Sequence, residues 1–248
     1  MSLFLNVTKN EFSKLLSRKK YIIFFIIEII FCVVVTLIQM LINRFGSGLI
    51  QYGLFNMPLF MLNLLIQAYI PLIIFMASSD LYATEFGDLT LRASLIRPVS
   101  RLKIFLAKAL AVMSMVLIYL AALFLLATAL QASLGGGFSG IWRSFGAYIL
   151  DIFPLCVLVL MAALLNQFTK SGTLSMLMSI LIYVVLCAAG LLIPQVGGLL
   201  FTGYSQWHNL WIGETLPIGA LLAKTGLLAG YAVIFLTAGY YLFDRRDM

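Results

Sequence analysis

Charge is scarce in this 248-residue chain. Lys and Arg together number 16, Asp and Glu 9, and there is one histidine, His208. A soluble domain of this size needs far more polar surface. The chain is 63% apolar, with a mean hydropathy of +1.08. Its few charges gather at the edges of apolar blocks, which makes a bilayer the solvent. No charge-rich block is long enough for a separate soluble domain, so residues 1–248 read as a single transmembrane domain. Cysteine is equally sparse, and Cys32, Cys156 and Cys187 all lie in apolar blocks, as small core residues do. A single histidine with no clustered ligands leaves a metal without a site. The same poverty of nucleophile and metal constellations argues against an intramembrane enzyme. No Gly-x-x-x-x-Gly-Lys-Ser/Thr occurs, so the chain has no phosphate cradle for ATP and no cofactor of its own.

Long uncharged runs fill the space that charge leaves. Six spans are expected at roughly 21–42, 57–79, 109–131, 145–168, 173–193 and 217–242. Each approaches the ~20 helical residues that cross a ~30 Å hydrocarbon core. The runs are continuous rather than alternating, which excludes a barrel. The fold class is therefore all-α integral membrane. The basic region to Lys20 precedes a 22-residue apolar run, Tyr21–Ile42, longer than a signal-peptide core and without a cleavage pattern, so it reads as a retained first span. With the N-terminus inside, 13 of the 16 basic residues face the cytosol, leaving Arg44, Arg143 and Lys224 outside. That satisfies the positive-inside rule and puts both termini in the cytosol. The net charge of +7 is accounted for by the membrane, with no nucleic acid needed.

Residues 1–20 place Phe12, Leu15 and Leu16 on one face among several lysines and arginines, as a helix lying in the inner interface does; a floppy basic tail is the alternative. Residues 194–217 form an outer hydrophobic loop within the stretch 171–213, which has no Asp, Glu, Lys or Arg. Its Phe201, Tyr204, Trp207 and Trp211 suit either a segment that re-enters the membrane or caps the bundle, or an aromatic belt at the interface. Small residues line one face of the sixth span (Gly219, Ala223, Gly226, Gly230) and of the fifth (Ser171, Ser175, Ser179), as in close helix packing.

Residues 80–108 hold a charged island between two uncharged spans. Gly87 suits a helix end and Asp88 a cap for a short helix over 89–97, whose apolar face is Leu89, Ala93 and Ile96. Pro98 stops it, and Ser100 is placed to cap the helix of the third span. A solvated loop is the plain alternative to a helix with one face for the bundle and one for a partner. Glu85, Gly87, the run Arg97-Pro98-Val99-Ser100-Arg101 and Lys108, with the ending Phe243-Asp244-Arg245-Arg246-Asp247, resemble the type-2 ABC-exporter permeases along nearly the whole chain. The resemblance implies a coupling helix over 85–101. Glu85, Gly87, Asp88, Arg92, Arg97, Pro98, Ser100 and Arg101 would dock it on a separate ABC-type ATPase subunit. That partner would hold the ATP and Mg. The resemblance also implies a dimer, with a second copy or a related permease, in a bacterial cell membrane. Export follows from the resemblance alone. The lack of deep charge leans toward a hydrophobic or amphipathic cargo, such as a drug, lipid or toxic peptide against which the cell protects itself. A stand-alone secondary transporter or channel is the alternative.

Glu28 sits about seven residues into the first span, with Cys32, Gln39 and Asn43 following at helical spacing. Asn63 and Gln67 share a face of the second. Glu28, Gln39, Asn63 and Gln67 either line a translocation path or make interhelical hydrogen bonds. Asp151 and Lys224 lie at similar depth from the outer side, and each alone is costly in lipid, so they are expected to pair.

Overall fold

The computed structural model describes residues 2–45, 56–85, 100–134, 140–212 and 218–245. Helix α1 spans Ser2–Leu16 and α2 spans Lys19–Phe45. After them come α3 (Met57–Leu65), α4 (Tyr69–Ser79), a π-helical turn (Asp80–Thr84), α5 (Arg101–Ser133), α6 (Ile141–Leu150) and α7 (Ile152–Leu165). The chain continues through α8 (Gly172–Leu192), the short α9 (Pro194–Gly197), a 3-10 turn (Phe201–Tyr204), α10 (His208–Ile212) and α11 (Ile218–Asp244). No strand occurs among the described residues. Five of these helical stretches are long and apolar enough to cross a membrane, and α3 with α4 and the π turn makes a sixth if the bent pair is one span. The protein is thus an all-helical, multi-pass membrane protein.

Helix α4 forms the centre, packed against α5, α7 and α8. Its Ile70, Ile73, Ile74, Phe75, Met76 and Ala77 are all buried. Helix α2 is peripheral. A single stripe, Tyr21, Glu28, Cys32 and Thr36, is buried, while Ile22, Ile26, Ile30 and Leu37 are exposed. In a bilayer such a face meets lipid or another chain.

The expected second span, 57–79, is one helix in the sequence reading but is broken in the structure. Its two halves meet at 50°. Pro71 is the cause. It has no N–H to give to the carbonyl four residues back, and its ring crowds that carbonyl, Gln67 O. The freed oxygen takes a new donor, Tyr183 Oη of α8, at 2.8 Å. Proline breaks inside membranes are tolerated where a neighbouring helix re-satisfies the backbone in this way. Pro154 acts similarly in the fourth span, where the helix is interrupted at Asp151, between α6 and α7.

Two helices sharpen expectations. Helix α5 starts at Arg101, so the third span rises from its charged entrance as one 33-residue rod. Ser100 does sit at the N-cap, in extended conformation, but its side chain makes no capping bond. Helix α1 packs along α5, and its buried face is Val7, Glu11 and Leu15. Leu16, expected on the apolar face, is exposed.

The segment after α8 folds back over the bundle, with Phe201, Tyr204, Trp207 and His208 buried. Glycine is required where it doubles back. A Cβ on Gly197 would lie 2.6 Å from Gly190 O. The two small-residue faces part company. Ser175 and Ser179 are buried, and Asn166 binds Ser78 at 2.8 Å and Ser175 more closely, joining α4, α7 and α8. Gly219, Gly226 and Gly230 meet nothing within 4 Å, so the small face of α11 is not a packing face within this chain.

Replacing Tyr183 by Phe removes the donor that serves Gln67 O and is expected to destabilise the protein by about 1 kcal/mol. Unfolding of the detergent-solubilised variant against the parent checks this; an unchanged midpoint would show that the broken span closes its own hydrogen bonds.

Candidate functional site

The charged end of the bundle is built from three elements that converge on Lys108. This residue lies on α5 with no exposed surface, where an unpaired ammonium would be strongly disfavoured. Its Nζ donates to Glu11 Oε2 at 2.7 Å and to Glu85 Oε2 at 2.5 Å. The other oxygen of each carboxylate goes to Lys14, Glu11 Oε1 at 2.6 Å and Glu85 Oε1 at 2.9 Å. Two ammonium groups and two carboxylates therefore alternate around a closed ring of zero net charge. Glu11 and Lys14 come from α1, Glu85 from the end of the second span, and Lys108 from α5. Lys14 closes the ring at the surface, half-exposed.

Burial alone would raise the Glu11 carboxyl, but Lys108 and then Lys14 outweigh it and hold this group below its ordinary value. Lys14 shows the mirror image. Burial would lower its ammonium, yet hydrogen bonds to Glu11 and Glu85 raise it.

A second cluster sits one turn away. Asp80, buried in the π turn, pairs with Arg18 at 2.8 Å and Lys20 at 2.7 Å and accepts from Tyr21 Oη at 2.5 Å. The α1–α2 junction is thereby fastened to the same end of the second span that carries Glu85. π-Helical turns often mark functional positions, because the extra residue re-aims the side chains around it.

Of the residues assigned to coupling, Glu85 enters the ring. Gly87, Asp88, Arg92, Arg97 and Pro98 lie outside the described residues. Arg101 turns inward along the chain, with Nη1 donating to Asp244 O at 2.5 Å and 3.9 Å from that residue's carboxylate.

The four path candidates do not converge. Glu28 is fully buried on α2 and Gln39 half-buried on the same face. Asn63, on α3, accepts at its backbone carbonyl from Gln206 Nε2 at 3.2 Å. Only Gln67, exposed at the break in the second span, opens onto a cavity. This cavity, of about 850 Å³, lies between α4, α8 and the folded-back outer segment. Leu72, Phe75, Ile180 and Val184 give it apolar walls, and Gln67 and Gln206 supply polar groups.

The expected Asp151–Lys224 pair is not formed. Asp151 is fully buried and its carboxylate accepts from the backbone N–H of His208 at 2.8 Å and meets His208 Nδ1 at 2.6 Å. Lys224 instead lies 5.6 Å from the ring centroid of Tyr204, a cation–π placement. The reason is proximity. The outer segment folds over α6 and brings α10 to Asp151, so a nearer polar partner is available than one on α11. His208 was legible as the sole histidine of a charge-free stretch, but its partner was not. Glu11 and Lys14 were equally missed, although a carboxylate four residues before Leu15 on the buried face was the signal.

Lys108→Met leaves two buried carboxylates with one cation between them. Breaking a buried pair in this way is expected to cost about 3–5 kcal/mol, measurable as lost thermal stability in detergent. For Glu11 the folded value is depressed, so its contribution is complete at neutral pH and is lost as pH falls through and below the ordinary glutamate range. Amide exchange in α1, corrected for its intrinsic rate, should accelerate over that acid interval and not at alkaline pH, and Glu11→Gln should abolish the acid step.

The family model that matches, described as a protein of unknown function (DUF2705), covers residues 51–248. This stretch includes Glu85, Lys108, the cavity and the Asp151–His208 pair, while Glu11 and Lys14 precede it. No curated protein matches the chain. With well over half of its length matched, the chain belongs to the DUF2705 family.

Proposed function

We propose that this protein is the membrane permease subunit of an ATP-driven exporter. A separate ABC-type ATPase hydrolyses ATP, and a hydrophobic or amphipathic cargo moves outward through a dimer with a second copy or a related permease. In this reading both termini are cytosolic and the membrane is that of a bacterial cell. The observation that carries it is the ring of Glu11, Lys14, Glu85 and Lys108. It fastens a surface helix to the two spans joined by residues 85–101, the segment assigned to the ATPase. A force delivered to that segment would reach α1, the second span and α5 together, as a coupling device requires. The chain has no phosphate-binding loop of its own, and in this reading the energy comes from a companion. The cavity of about 850 Å³, mostly apolar with a few polar groups, suits an amphipathic small molecule or an apolar side chain of a peptide.

The bent second span favours one other reading. Discontinuous helices at a binding site are frequent in secondary transporters, and a stand-alone transporter would need no partner.

Affinity capture of the full-length chain from native membranes separates the two. The expected result is recovery of an ABC-type ATPase whose hydrolysis is stimulated by the permease, with capture reduced several-fold by Arg97→Glu. Transport by purified, reconstituted protein with no companion would overturn the exporter reading.

A further inference from the structure

Glu28 has no exposed surface, and among the described residues neither of its carboxylate oxygens has a hydrogen-bond partner. Its surroundings supply no countercharge. Cys32 lies one turn along on α2, and Tyr69 of α4, Tyr119 of α5 and Tyr148 of α6 stand within electrostatic reach. Those three hydroxyls are turned elsewhere. Tyr69 donates to Phe24 O at 2.5 Å, Tyr119 to Tyr21 O at 2.7 Å and Tyr148 to Pro58 O at 2.9 Å. The nearest hydroxyl on its own face, Thr36, donates to Cys32 O at 2.7 Å. Among the described residues no lysine, arginine or histidine pairs with Glu28. The cations of the two clusters are bound to Glu11, Glu85 and Asp80, and His208 to Asp151.

An unpaired ion in a low-dielectric interior is far costlier than the neutral acid, and the group takes up a proton instead. Another buried acid inside a span, Asp151, does have a partner, since His208 approaches both of its oxygens. Glu28 has no such partner among the described residues. The helix that carries it is also the most peripheral of those that bury an acid, with only one stripe held against the bundle.

We infer that Glu28 is a proton-binding site inside the membrane: the acid form belongs to the packed state, and its proton is released when α2 moves away from α5 and water enters. On release the O–H bond breaks, the electron pair stays on the carboxylate and water accepts the proton. The return of α2 requires a proton to be taken back. The chain therefore couples the position of its first span to protonation, whatever drives that movement, and this does not depend on the exporter reading.

The test uses the full-length protein in liposomes with carbon-13 at its glutamate carboxyls. The chain has four glutamates, Glu11, Glu28, Glu85 and Glu214. At neutral pH one signal should keep the position of the undissociated acid, and Glu28→Gln should remove that signal alone. Should that variant not fold, Glu28→Asp with aspartate labelling supplies the same assignment, because the acid signal must move to the aspartate spectrum. Raising the pH should ionise this group together with faster amide exchange in α2, after correction for the intrinsic rate, and Glu28→Gln should lack that excess. Four ionised signals at neutral pH would overturn the proposal. So would an acid signal that stays in Glu28→Gln, or a Glu28 signal that follows sodium concentration rather than pH, which would make the ligand a metal cation.

Discussion

A lysine with no exposed surface must be neutralised where it stands, and that requirement organises one end of this protein. Lys108 draws Glu11 from α1 and Glu85 from the second span onto α5. Each carboxylate then has an oxygen left over, and Lys14 takes both. The arrangement is self-consistent only when all three elements are present. Neither carboxylate could remain buried without Lys108, and Lys108 could not remain buried without them. A helix that would otherwise float on the surface is in this way made part of the bundle. Asp80 repeats the solution one turn away with Arg18, Lys20 and Tyr21, so the α1–α2 junction is pinned on two sides.

Farther into the bundle the same rule is met with different means. The carbonyl released by Pro71 finds Tyr183, Asn166 finds Ser78 and Ser175, and Asp151 finds His208. Each pair joins elements distant in sequence, so the polar contacts act as registration marks between helices whose apolar surfaces would tolerate sliding. Glu28 departs from the pattern. Among the buried acids of the described residues it is the one whose two carboxylate oxygens both lack a partner, and an unmatched acid costs far more in an apolar interior than an unmatched amide or hydroxyl.

The sequence made the spans legible, since twenty-odd apolar residues in a row have one reading in a bilayer. Boundaries agreed within a few residues for the fifth and sixth spans, where Ser171 and Asp244 bracket plain apolar helix. The break in the second span was visible as Pro71 but needed the rule that a proline acts on the carbonyl four residues earlier. Partners were harder. The preference of Asp151 for His208 over Lys224 depends on where the outer segment lands, and no local pattern encodes this. The ring was hidden for a similar reason. Glu11 and Lys14 look like ordinary surface charges on an amphipathic helix until α5 is laid beside them.

Gly172, the first residue of α8, touches the π-helical turn so closely that a Cβ there would stand 2.2 Å from Thr84 Oγ1. The Gly172 backbone thus rests against the Thr84 side chain of the turn that holds Asp80. A shift of that turn bears directly on α8, and α8 forms one wall of the cavity. The bare backbone at this one position is the bearing on which the charged end meets a wall of the chamber beyond it.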